Sequence, residues 1–264
     1  LQAEGIIQRL SHQYADPVEY YLALQDEEVS LNEVIGHPIK IQYAHAISCI
    51  ACGRSIKKTY NSGYCYPCFQ KLPENDLCIV KPSLCHFAEG TCRDSEFGEQ
   101  HCMIPHYVYL AISSGIKVGL TRKNNELKRW IDQGAVRAIP IAECTTRKRA
   151  GELELFLTDY LPDKTNWRKM LKGEVDEADL FQLRQELTAI IPEEFQQDLL
   201  TVDEITEITY PQLEQLKKIQ SIQLDKQDEI EDRLIGIKGQ YLILEHGVFH
   251  VRKHAGYHIQ FSWE

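Results

Sequence analysis

The spacing of apolar and polar residues changes character several times along the chain. Val18–Leu24 and Ile39–Tyr43 mix β-branched, aromatic and polar residues in rough alternation, which predicts short strands after an N-terminal lead-in. Residues 48–106 lose this periodicity and are rich in Gly, Pro and Asn. From residue 107 it returns. Tyr107–Ile112 predicts a strand, Ser113-Ser114-Gly115 a turn, and Ile116–Leu120 a second strand. Asn124 or Asn125 is placed to cap a helix through Leu127, Trp130 and Ile131, which Gly134 ends. Val136–Ile141 predicts a third strand. Thr145 or Thr146 opens a further helix with Leu153, Phe156, Leu157 and Tyr160 at its apolar positions. Over residues 171–232, Leu180, Leu183 and Leu187, then Leu213, Leu216 and Ile219, recur at helical spacing, interrupted by Pro192 and Pro211. Leu234–Ile237, Gln240–Leu244, Val248–Arg252 and His258–Phe261 predict strands, with Gly239, Gly247 and Gly256 in the turns.

These patterns predict an α+β protein in four segments: a β and cysteine-rich region over 1–106, a three-stranded α/β module over 107–170, an acidic helical region over 171–232, and a C-terminal β region over 233–264. The stretch Leu31–Tyr43 weakly echoes Leu234–Tyr241, which suggests that the two ends pair into one small β-barrel.

Cysteine usage changes the picture most. Eight of nine cysteines lie between Cys49 and Cys102. Cys49-x2-Cys52 and Cys65-x2-Cys68 form two knuckles, each aiming two thiolates at one point, so a closed structural Zn2+ site in a zinc-ribbon-like β segment is expected. Cys85, Cys92 and Cys102, with Cys78 or His106 as the fourth ligand, suffice for a second metal. Buried free thiols are the competing reading there. Cys144 follows Glu143, which would raise a thiol pKa, and is not a nucleophile candidate.

Charge is uneven. The formal net charge is −10, yet residues 171–232 hold 17 acids against 5 bases, while Tyr107–Ala150 holds nine bases against three acids. A local basic face inside an acidic protein is compatible with a phosphate partner. Arg122, Lys123, Lys128, Arg147, Lys148 and Arg149 are the candidates for contact with a nucleic-acid backbone, a solvated charged face being the alternative. The first knuckle adds Arg54, Lys57 and Lys58 interleaved with Tyr60 and Tyr64. The acidic stretch reads as a scaffold or as a surface for a protein partner. No run reaches the eighteen or so apolar residues of a membrane span, and no signal-peptide pattern opens the chain, so a cytoplasmic location without a membrane partner is expected.

The middle third carries a recognisable order of residues. Tyr107-Val108-Tyr109-Leu110 lies on the first strand and Lys117-Val118-Gly119 on the second. Arg129 lies on the next helix, Glu152 and Glu154 on a later one, and Asn166 beyond. This order resembles the GIY-YIG nuclease superfamily, with Tyr107 in place of the first motif glycine and Lys117 in place of the second motif tyrosine. With HYVYLA, KVGLTR, RWIDQGA and TNWR, the fuller string resembles an uncharacterised bacterial domain-of-unknown-function family whose members place a cysteine cluster before the same module. The resemblance implies catalytic roles for Tyr109, Lys117, Arg129, Glu152 or Glu154, and Asn166. Tyr109 would act as base or water-orienting group, Arg129 would grip the scissile phosphate, and Glu154, or its rival Glu152, would hold Mg2+ or Mn2+. Taken singly, each reads as an ordinary sheet tyrosine or solvated helix residue. The expectation is a metal-dependent endonuclease acting on structured DNA or RNA. The alternatives are a zinc-containing nucleic-acid-binding protein on a degenerate nuclease frame, and a zinc-stabilised adaptor.

Overall fold

The computed structural model describes residues 1–264 apart from Val202 and Lys217. The chain is mixed α+β and divides into two compact units. One comprises 1–70, 171–173 and 208–264, and the other comprises 71–170 and 174–207. This differs from the four consecutive segments expected. The cysteine-rich region is divided at 70/71, so its two cysteine sets belong to different units.

The first unit is built on a ten-stranded sheet. Its main path runs Ser221–Ile222, Val248–His250, Tyr241–Leu244, Glu229–Lys238, Pro38–Ser48, Tyr257–Trp263, Gln2–Gln13, Glu19–Leu24, Glu28–Ser30, and Ser55–Ile56 pairs with Pro38–Ser48. The chain ends meet in it, with Ala3 opposite Phe261 and Ile41 opposite both Ile230 and Phe261. Alternation decides which face is inward. Tyr20, Leu22, Ile39, Ile41 and Phe261 are fully buried, each burial contributing about 1.5–3 kcal/mol. The expected N-terminal lead-in is instead the strand Gln2–Gln13, whose alternation is blurred by Gly5 and by a register shift between Ile7 and Arg9.

The expectation of helices across 171–232 is overturned for most of the stretch. Among the described residues it holds the helix Leu180–Thr188, a short 3-10 segment Glu193–Asp198, and then irregular chain with the short strands Thr206–Glu207 and Ser221–Ile222 before Glu229–Lys238; Val202 and Lys217 lie outside the described residues. Pro211 cannot donate a backbone hydrogen bond, and the segment after it lies alongside the strand Glu229–Lys238. Ile237 N–H donates to Pro211 O and Leu213 N–H to Ile235 O. Three leucine-type residues at spacing three are too short a run to nucleate a helix against that pairing.

The second unit carries a four-stranded sheet ordered Ile116–Arg122, His106–Ile112, Arg137–Cys144, Thr206–Glu207. Even-numbered residues Val108, Leu110, Ile112, Val118 and Leu120 face a core completed by Ile139 and Ile141. Over that core pack Ala150, Leu153 and Leu157 of the helix Arg147–Leu157, and Leu180 and Leu187 of the helix Leu180–Thr188. Thr146 caps the first of these by accepting from Arg149 N–H, and Asp179 caps the second. The odd-numbered face of the hairpin, bearing Tyr109 and Lys117, is thereby turned toward the helix Glu126–Asp132, which Gly134 ends at φ +67°.

Candidate functional site

The first cysteine set is held by local backbone geometry. Gly53 (φ +72°) and Gly63 (φ +128°) allow the tight turns, and Ile50 N–H donates to Gly63 O, drawing the two knuckles together. The sulfurs of Cys49, Cys52, Cys65 and Cys68 all lie within 4.8 Å of one another, with Cys52 and Cys65 at 3.7 Å. Four sulfurs around zinc at about 2.3 Å stand roughly 3.8 Å apart, so the cluster can hold a metal ion such as zinc. Burial raises the Cys49 thiol, but the backbone N–H groups of Cys52, Cys65 and Ala51 outweigh it and bring it down to about 6. Cys68 is pushed up to about 12, first by its hydrogen bond with Cys65 and then by burial. A divalent cation reverses such competition by stabilising every thiolate together.

The second set lies in the other unit. Cys78, Cys85 and Cys102 form one buried cluster with Phe87 packed against it. Cys92 joins them in lining a cavity of about 10 Å³. His106 does not line it. That residue is fully buried in the sheet, its Nδ1 bonded to Ile104 O at 2.7 Å, and burial brings it down to about 4.

On the odd face of the hairpin, four of the six candidate catalytic residues come together. Tyr109 is fully buried, edge-on to Trp130 with ring centroids 5.7 Å apart. Its hydroxyl donates to Gln133 Oε1 at 2.9 Å, and the Lys117 amine donates to the same oxygen at 2.6 Å. Cross-strand pairing sets Tyr109 opposite Gly119, where a Cβ would stand 2.6 Å from the tyrosine hydroxyl, so the strand glycine makes room for the ring. A bulge opposite Tyr109, at Pro140–Ile141 of the neighbouring strand, re-aims the chain there and accommodates a proline that cannot donate to the ladder. Arg129 is exposed, and its guanidinium lies near enough to the Tyr109 hydroxyl to oppose the rise that burial causes there. Glu154 is half-buried on the helix Arg147–Leu157.

The charges in this cluster act on one another. Burial, reinforced by Arg129, brings Lys117 down to about 7 against the opposing pull of Asp163 and Glu154. Burial and then the Asp163 carboxylate push Glu154 up to about 7, against Arg129, Arg147 and Lys117. Burial raises Tyr109, and Arg129 opposes it. An amine and a carboxyl both displaced toward neutrality, beside an exposed guanidinium, can exchange protons and hold an anion together.

The remaining candidates stand elsewhere. Glu152 projects from the exposed face of its helix. Asn166 starts the helix Trp167–Leu171, accepting from Lys169 N–H at 3.2 Å, and its own N–H donates to Ser114 Oγ at the hairpin turn. Several of the basic residues are engaged within the fold. Arg147 donates to Ile79 O at 2.7 Å, and Arg149 pairs with Asp198 at 2.7 Å and lies over the Phe195 ring. Lys148 pairs with Glu89 at 3.4 Å and Lys123 with Glu143 at 2.9 Å. Arg122 is partly exposed and Lys128 exposed. The structure also adds two residues that sequence reasoning missed. Gln133 lies four positions after Arg129, hence on the same helix face, which is a readable signal. Asp163 comes into range because Val118 N–H donates to Pro162 O along the sheet edge, which no local pattern announces.

A family model described as a protein of unknown function (DUF2797) matches residues 36–259, most of the chain. No curated protein matches the chain, and no solved structure does.

Proposed function

The chain belongs to the DUF2797 family, and from that premise we propose that it is a metal-dependent nucleic-acid phosphodiesterase, a diverged GIY-YIG-type endonuclease acting on structured DNA or RNA. The observation that carries this reading is that Tyr109 and Lys117 share Gln133 Oε1, with Arg129 and Glu154 within electrostatic range of both. Phosphodiester hydrolysis needs a cation on the phosphate oxygens, a way to orient or deprotonate water, and help for the leaving group. Arg129, exposed to solvent, grips the phosphate through its fork of donors. Glu154, rather than the outward-facing Glu152, is the carboxylate for Mg2+ or Mn2+, with Asp163 as its neighbour. Such an ion, when bound, polarises the phosphoryl oxygen and acidifies its water. Lys117 takes the place of the second motif tyrosine as proton carrier. In this reading Zn2+ at Cys49, Cys52, Cys65 and Cys68 is structural, because four protein thiolates leave no open position.

A second reading has one observation in its favour. The Tyr109 hydroxyl is fully buried and already bonded to Gln133, an arrangement suited to a frame that binds nucleic acid without cutting it. The deciding experiment presents labelled single-stranded, duplex and branched DNA and tRNA to the purified protein, with and without added Mg2+ or Mn2+. Cleavage that needs the added ion, vanishes in Arg129→Ala and Glu154→Ala, falls in Tyr109→Phe and survives in Glu152→Ala supports the phosphodiesterase. Salt-sensitive binding without cleavage supports the second reading. Neither binding nor cleavage refutes both.

A further inference from the structure

We infer that Cys78, Cys85, Cys92 and Cys102 form a second four-thiolate metal site of the zinc-accepting kind, closed by Cys78 and not by His106, and that this site fixes the start of the helix carrying Glu154. The inference rests on no assumption about cleavage.

The stretch 71–105 has little core of its own. It is a series of short turns and helices: Pro73–Asn75, Leu77–Val80, Pro82–Leu84, Phe87–Glu89 and Ser95–His101. Among its described residues the buried apolar side chains are Cys78, Cys85 and Cys102, whereas Leu77, Val80 and Leu84 are exposed. A segment that turns its leucines outward and its cysteines inward is not held by hydrophobic burial. It needs a staple of another kind. All four cysteines line one cavity of about 10 Å³, with Cys78, Cys85 and Cys102 buried and Cys92 at its partly open side.

The rival donors are Asp76 and His86, whose ligand atoms and the Cys78 sulfur lie within 4.8 Å of one another, but each already has partners within the fold. Asp76 accepts from Cys78 N–H at 3.1 Å and is paired with Arg93 at 2.7 Å. His86 has Nδ1 2.7 Å from Thr91 Oγ1, with Nε2 turned toward Asp76. These groups brace the ligand loops. His106 lies outside the cavity lining, and its Nδ1 is held by Ile104 O.

The link to the helix Arg147–Leu157 is direct. Arg147 N–H donates to Cys102 O at 2.8 Å, and its guanidinium donates to Ile79 O, one residue from Cys78. The guanidinium thereby stands where a cation offsets the excess negative charge of four thiolates on a divalent ion. One turn on, Gly151 lies so close to Pro82 and Ser83 that a Cβ would stand 2.4 Å from Ser83 N. The ligand loops thus clamp the first turns of the helix that presents Glu154.

Metal analysis of the protein, purified without chelator, tests this. We expect two zinc equivalents per chain in the wild type and one each in Cys52→Ser and Cys102→Ser. Asp76→Asn, His86→Gln and His106→Gln should keep both. A wild type with one equivalent, a Cys102→Ser protein that keeps two, or a His106→Gln protein that loses one would overturn the assignment. Should Cys102→Ser not fold, Cys52→Ser carries the test. Reconstituted with Co2+, it should bind one equivalent with the intense thiolate-to-metal absorption of a tetrahedral four-sulfur site, and absence of that band refutes the site. Hydrogen exchange reads the second half of the inference. Amides of 147–157 should lose protection when Cys85 is replaced by Ser and keep it when Cys52 is. Equal protection in both would show that the site does not hold the helix.

Discussion

Lys117 offers the sharpest test of the buried cluster, through Lys117→Met. The lysine is 2 % exposed, and its amine is bonded to Gln133 Oε1. Burial lowers it from 10.5 to about 7. Each pKa unit is worth about 1.4 kcal/mol, so the displacement corresponds to a penalty on the order of 4 to 5 kcal/mol against the folded state. The sign follows from proton counting. Between pH 7 and 10.5 the unfolded chain holds a proton on this amine that the folded chain has released. The penalty is therefore constant below about pH 7, shrinks by about 1.4 kcal/mol per pH unit above it, and is gone near pH 10.5. Methionine keeps the length of the side chain and removes the charge, at the loss of one hydrogen bond worth about 1 kcal/mol. The variant should be more stable than wild type by roughly 2 to 4 kcal/mol at pH 7, with the gain close to zero near pH 9.5. Urea denaturation followed by tryptophan fluorescence at pH 6, 7, 8.5 and 9.5 measures this. A variant less stable at pH 7, or a difference that does not vary with pH, would refute the reasoning. A gain in stability joined to a loss of cleavage would mark Lys117 as a residue kept for function at the expense of the fold.

Other perturbations probe separate parts of the fold. Gly119→Ala places a Cβ 2.6 Å from the Tyr109 ring and hydroxyl. It should cost about 1 to 3 kcal/mol and impair cleavage more than Glu152→Ala, both measurable on one preparation. Gly151→Ala should gain up to about 1 kcal/mol in helix propensity, yet net destabilisation is expected because the new Cβ meets the backbone of Pro82 and Ser83. A more stable variant in thermal melts would contradict that close approach. In Cys65→Ser, loss of one ligand of the first knuckle should release its metal and expose 49–68 to proteolysis, leaving protection of 106–157 unchanged. Protection lost in both stretches would count against separate units.

The resemblance in the middle third rested on order along the chain, and the hairpin Tyr107–Ile112 and Ile116–Leu120 was legible because alternation, a Ser-Ser-Gly turn and β-branched residues agreed. The four-cysteine cluster was equally legible, since a CxxC knuckle is a local structure and two of them specify one point. The acidic stretch misled because proline breaks and short leucine runs leave helix and extended chain almost equal in local energy, and pairing with the strand Glu229–Lys238 decided between them. That Glu152 is exposed and Glu154 half-buried also escaped the sequence. It depends on which helix face the core residues Ala150, Leu153 and Leu157 turn inward.

What the sequence determined by itself, then, were the features whose energetics close within a few residues: the knuckles, the hairpin, a cap at Thr145 or Thr146 and the glycine that ends the Glu126–Asp132 helix. Tertiary structure decided the features that depend on distant parts of the chain. These are the sheet joining Gln2–Gln13 to Tyr257–Trp263, the assignment of the two cysteine sets to different units, and the entry of Gln133 and Asp163 into the cluster around Lys117. The physical reason is desolvation and long-range pairing. Both depend on which remote surfaces exclude water from a group, and no local spacing of residues records that.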